Sequence, residues 1–130
     1  EVETLFEELL IATAIAADID ASDRAKFDAL VTLSRTAANE YAVGVVDGKV
    51  EDLHEYQDAW GFLQIVTQRA AILADDPKEA VAKAANAVLD AVAGTEAAFG
   101  GITATESMTA GPDALFGAAA RIELATLSVK

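Results

Sequence analysis

Residues 40–56 read EYAVGVVDGKVEDLHEY, a stretch that begins and ends on the same dipeptide, Glu40-Tyr41 and Glu55-Tyr56, with Asp47-Gly48 between them. Six acidic residues fall between Glu40 and Asp58 (Glu40, Asp47, Glu51, Asp52, Glu55, Asp58), with Lys49 as the single Lys or Arg. Carboxylate, phenolate and carbonyl oxygens are the ligands that hard cations take. If the chain reverses at Asp47-Gly48, Tyr41 stands about six residues before the turn and Tyr56 about six after Val50. At about 1.5 Å of helical rise per residue, both then lie near one level, about 9 Å from the loop.

Other chemistries lack their parts. The chain has no cysteine, which excludes disulfides, thiolate metal sites, c-type haem attachment and thiol catalysis. It has one histidine, and none of Ser22, Ser34, Ser107 or Ser128 sits in a nucleophile-elbow context, so a hydrolytic triad has no basis. No glycine cluster follows a strand and opens a helix in the phosphate-binding pattern. Glu51-x-x-His54 has the form of the di-iron step, but that centre needs the step on two helices and further carboxylates on two others. A lone Met108 is too little for copper. The chain therefore reads as a non-enzyme.

Each candidate also has a structural reading. Asp52 with Glu55 three residues on is a capping-box pattern, which would spend Asp52 on backbone N–H groups and turn Glu55 back onto Asp52. Tyr41 and Tyr56 fit the core stripes of their helices, with hydroxyls reaching the rim. His54, near Glu51 and Asp58, reads as an exposed residue at a helix start. Asp47-Gly48 is ordinary turn chemistry, either a helix-to-helix reversal or a small β-hairpin between Val45-Val46 and Lys49-Val50.

The elements that must hold these residues are helical. Val2, Leu5, Leu9, Thr13 and Ala16 make one stripe, and Phe27, Leu30, Ser34, Ala37 and Tyr41 a second that ends before Asp47. Leu53, Tyr56, Trp60, Leu63, Thr67 and Ala70 make a third, stopped at Asp75-Asp76-Pro77. Asp76 as N-cap, Pro77 at the first helical position and Glu79 then predict a helix along Val81, Ala85, Val88 and Val92 that ends at Gly94. A short helical turn is expected over 95–99, and Pro112 opens a last helix along Leu115, Ala119, Ile122 and Thr126. The expected fold is all-α: a single domain over residues 1–130, an antiparallel four-helix bundle with one additional short helix.

The 130 residues carry 22 acids and 9 bases, a formal charge of -13, which repels nucleic acid and anionic lipid. The apolar run at residues 9–17 is too short to span a bilayer, and the acids before it are the wrong sign for a leader. No direct membrane insertion is expected. A start at Glu1 suits a chain from which a targeting segment has been removed, or a piece of a longer one.

Residues 40–62 (EYAVGVVDGKVEDLHEYQDAWGF) resemble the extracytoplasmic helical domain attached to many bacterial members of the oxidase-dependent, high-affinity iron permease family, whose run is approximately DYPGAVxDGxVxNxxEYxEMxEF. Tyr41, Val45, Asp47, Gly48, Val50, Glu55, Tyr56 and Phe62 match without a gap. Ala42 and Val43 stand where the family usually has Pro-Gly, Gln57 replaces a frequent small residue, Ala59 a Met and Gly61 a Glu. The Arg-Glu-x-x-Glu iron motif of the family's membrane part is absent, so this chain alone transports nothing. The resemblance implies a periplasmic or extracytoplasmic accessory module that receives or buffers iron beside an iron permease or other membrane component of an uptake system. The candidate metal ligands it carries over are Glu40, Tyr41, Asp47, Glu55, Tyr56 and Asp58. The alternative is a structural or protein-interaction domain whose acidic face docks on a partner and which holds no metal.

Overall fold

Helix α1 (Asp23–Gly44) begins where Ser22 accepts a hydrogen bond from the Ala25 N–H at 3.2 Å. This computed structural model describes residues 21–99 and 111–130. The predicted stripe Val2 to Ala16 and Met108 lie outside the described residues. All five stripe residues expected for α1, from Phe27 to Tyr41, are buried. Ser34 is tolerated among them because its hydroxyl donates to the Leu30 carbonyl at 2.8 Å.

The open choice at Asp47-Gly48 resolves as a hairpin. Strands β1 (Val45–Val46) and β2 (Lys49–Val50) pair antiparallel, Val45 opposite Val50 and Val46 opposite Lys49. Asp47 has φ 52° and Gly48 φ 76°, the two successive left-handed residues of a type I′ turn. Two helical ends are drawn together behind it. A Cβ at Gly44 would lie 2.7 Å from the Tyr56 nitrogen and 2.9 Å from the Asp52 oxygen, so a side chain there would require this backbone to shift. The Gly44 carbonyl accepts from the N–H groups of Glu51 and Asp52, at 2.8 and 3.1 Å.

Helix α2 (Leu53–Leu73) is capped by Asp52, as expected, but its buried face is rotated from the predicted stripe. Ala59, Phe62, Val66 and Leu73 join Tyr56, Leu63 and Ala70 in the core, whereas Leu53 is 46% exposed and Trp60 and Thr67 are half-buried. Two neighbouring rows of one helix both satisfy spacings of three and four. Packing chooses the row whose alanines let the helices approach.

Helix α3 (Glu79–Ala93) starts later than Asp76 and Pro77 predict. The Asp76 carboxylate accepts from the Lys78 N–H at 2.8 Å, two residues on, so Pro77 stands in a turn and Lys78 occupies the cap position. Val81, Ala85 and Val88 are buried as expected. A 3₁₀ turn, Glu96–Ala98, falls inside the segment predicted to be a short helix. Helix α4 (Pro112–Thr126) opens at Pro112 and buries Leu115, Ala119, Ile122 and Thr126, the last with its hydroxyl donating to the Ile122 carbonyl.

Helix α1 packs on α2 and α4, and α3 packs on the same two, which closes an antiparallel four-helix bundle. One core of Phe27, Leu30, Tyr41, Tyr56, Val66, Val88, Leu115 and Ile122 runs through it. The fold class expected from the pattern is the one observed.

Candidate metal centre

Tyr41 on the last turns of α1 and Tyr56 on the first turn of α2 are both fully buried, with ring centroids 6.3 Å apart. The equal-level placement inferred from rise and turn length thus holds. Phe99, just past the 3₁₀ turn, packs edge-on against Tyr41 at 5.2 Å and tilted against Tyr56 at 5.4 Å. The Tyr41 hydroxyl donates to the Ala98 carbonyl at 2.5 Å. Burial, with Tyr56 nearby as a second cause, pushes the Tyr41 phenol up to about 12. It is a neutral hydrogen-bond donor across the physiological range.

Beside these rings the hairpin brings together three carboxylates from two helices. Glu40, Glu55 and Asp58 each offer an oxygen such that all three atoms lie within 4.8 Å of one another, and all three residues are half-buried. Asp58 also faces His54, with Nε2 3.8 Å from its Oδ2. Carboxylates this close repel one another when ionised, an effect that solvent reduces at half-buried positions. A cation among them reverses the sign of that arrangement. Oxygen ligands stand about 2.0 to 2.6 Å from a hard cation, so the spacing needs only small side-chain rotations to become a ligand set.

The capping-box expectation for Glu55 is corrected here. Asp52 does its half, accepting from the Glu55 N–H at 3.3 Å. The return bond is not made, because the Asp52 N–H already donates to the Gly44 carbonyl. Glu55 is thereby left to the carboxylate group, and its Oε2 is buried with no hydrogen-bond partner among the described residues. A buried carboxylate oxygen without a donor is costly, and fits a site built for a cation.

The remaining candidates are placed differently. Asp47 is exposed in the hairpin turn, outside the three-carboxylate group. Glu51 is exposed and contributes its N–H to Gly44. Gly61, where the family pattern has Glu, lies one turn beyond Asp58, and a Cβ there would meet nothing within 4 Å. Sequence reasoning did not link Ala98 and Phe99 to this centre. The only signal was an aromatic residue at the end of a short helical turn, which says nothing about what it packs against.

A family model described as an iron permease-associated 4-helix bundle domain matches residues 12–127. No curated protein and no solved structure matches the chain. The matched span contains all four described helices, the hairpin and the carboxylate group, and the chain belongs to the iron permease-associated 4-helix bundle domain family.

Proposed function

We propose that this domain is an extracytoplasmic accessory module of an iron-uptake system, and that it holds iron as cargo, weakly, on the oxygens of Glu40, Glu55 and Asp58. The observation that carries the reading is the buried, donor-less Oε2 of Glu55 beside two further carboxylates, at the segment that resembles the permease-attached domain. Family membership supports the permease or another membrane component as partner. No described helix is long and apolar enough to cross a membrane, which suits a domain standing beside a membrane protein rather than in it.

Within this site the carboxylates are the ligands, and the two phenols stand at the neighbouring chain positions, buried in the core. Tyr41 enters a metal's shell only by giving up the Ala98 carbonyl and a proton it holds tightly. Asp47 takes part through the turn it forms. All-oxygen ligation on half-exposed side chains gives exchangeable binding, which is what a handover step requires, and it favours hard cations over soft ones.

The test is isothermal titration of ferric and ferrous iron, the latter under anaerobic conditions, into the wild-type domain and a Glu55→Gln, Asp58→Asn double variant. One cation per chain for the wild type and at least a tenfold loss for the variant are expected, with thermal unfolding used to show that the variant folds. Equal affinity of the two proteins would remove the site and leave the alternative of a purely structural or interaction domain.

A further inference from the structure

Between α2 and α3 lies a cavity of about 460 Å³, inside the range of roughly 300 to 1,000 Å³ common to small-molecule sites. Trp60, which packing leaves half-buried outside the core row of α2, stands on its wall. So does Phe99, whose ring is held in contact with Tyr41 and Tyr56. The polar residues of the lining are Gln64, Thr67, Thr95 and Glu96. Both threonine hydroxyls already donate to the main chain, Thr67 to the Leu63 carbonyl at 2.9 Å and Thr95 to the Val92 carbonyl at 2.7 Å. Their oxygens are left only to accept. Glu96 adds a carboxylate, and neither Lys nor Arg lines the cavity; Arg121, which approaches Gly94 from α4, is not part of the lining. The side-chain donors there are the Trp60 indole N–H and the Gln64 amide, both neutral.

We propose that this cavity binds a small organic cation with a flat apolar body, of the aryl-amidinium or aryl-ammonium class. Trp60 and Phe99 take the body and attract its charge. The threonine oxygens accept from its N–H groups, and Glu96 supplies the opposite charge. An anion of the same shape would meet Glu96 and the two acceptors with no base to offset them, and a neutral molecule would leave Glu96 without a counter-charge. Because Glu96 is exposed, the charge preference is a matter of a few-fold rather than of orders of magnitude. The cavity is distinct from the three-carboxylate group, none of whose residues lines it, and its ligand does not depend on what that group holds.

Trp60 is the chain's single tryptophan, so its indole N–H gives one cross-peak in a nitrogen–proton NMR spectrum and reports on this cavity directly. The experiment titrates the metal-free domain with benzamidine, benzamide and benzoate, which share a shape and are cationic, neutral and anionic. Saturable movement of the cross-peak is expected with benzamidine at a Kd of about 1 mM, with benzamide roughly five- to tenfold weaker and benzoate not saturating. Glu96→Gln should at least halve the preference for benzamidine over benzamide while leaving benzamide affinity unchanged, which also shows that the variant keeps its cavity. The Glu55→Gln, Asp58→Asn double variant should bind benzamidine as the wild type does. A cross-peak indifferent to benzamidine up to about 20 mM overturns the proposal. So does equal binding of the three probes, a preference untouched by Glu96→Gln, or loss of benzamidine binding in the double variant, which would place the cation on the carboxylate group instead.

Discussion

At the end of the bundle where α2 passes into α3, charge is matched locally. Lys78 Nζ donates to Asp23 at 2.5 Å, Arg24 pairs with Asp28 at 3.1 Å, and Arg24 also donates to the Val129 carbonyl. The Asp76 carboxylate there is spent on a backbone N–H. At the hairpin end, backbone groups are satisfied just as fully, but through Gly44 and Asp52, which leaves Glu40, Glu55 and Asp58 crowded together. The difference lies in what else the carboxylates do. At both ends a carboxylate serves the backbone, Asp76 in the turn before α3 and Asp52 at the start of α2, and the hairpin end in addition gathers Glu40, Glu55 and Asp58.

The most damaging change should be Gly44→Ala. Its methyl would fall against backbone atoms of Tyr56 and Asp52, which must shift to admit it. A loss of about 3 kcal/mol in denaturant unfolding is expected, within the range for overpacking against a fixed neighbour. Gly111, where an added Cβ meets nothing, should tolerate the same substitution without a comparable steric loss. Equal effects would erase the special status of the hairpin end.

Alkaline pH provides the next contrast. Folding raises the Tyr41 phenol from 10.0 to about 12, so the native state holds that proton more tightly than the unfolded chain does. Its contribution is therefore complete below pH 10 and lost as pH rises toward 12. The loss should reach about 2 to 3 kcal/mol, and a Tyr41→Phe variant should lack this step in unfolding titrations across that range.

Glu55→Gln should separate a cation-binding carboxylate from a structural one. It removes one of three mutually repelling charges and should raise the stability of the metal-free protein by about 1 kcal/mol while weakening cation binding. Asp76→Asn, at the other end, has no such repulsion to relieve and should gain nothing. A destabilised Glu55→Gln protein would mean that the carboxylate is structural after all.

The smallest effect expected is at Gly61. With open space around its Cα, Gly61→Ala should stabilise α2 by about 0.5 to 1 kcal/mol, the helix-propensity difference alone. Gly61→Glu, which restores the residue of the family pattern, should tighten cation binding if that carboxylate can reach the group around Asp58.

Much of this arrangement was legible before any coordinates. The stripe Phe27 to Tyr41, the Pro112 start and the tyrosines' common level follow from helical period and turn length, which are local and rigid. What escaped the sequence was decided by competition between equally good local choices. Asp76 could cap a helix at Pro77 or close a two-residue turn, and the chain took the turn. Spacings of three and four on α2 fit the Trp60 row as well as the Ala59 row until neighbouring helices selected one. Glu55 could complete a capping box until Gly44, seven residues before Glu51, claimed the Asp52 N–H. On α4 and at its C-cap, Phe116, Leu124 and Leu127 are apolar yet exposed, and helical spacing alone does not say which of two neighbouring apolar sets faces the core.

The two-residue strands have a mechanical consequence. Val45 facing Val50 across a turn of fixed length sets the rotational phase of α2 against α1, much as a key indexes a shaft. One residue inserted into that turn would advance α2 by about 100°, a little over a quarter of a revolution, and swing Glu55 and Asp58 away from Glu40 with their chemistry otherwise intact. This two-stranded sheet therefore acts as the bundle's timing mark.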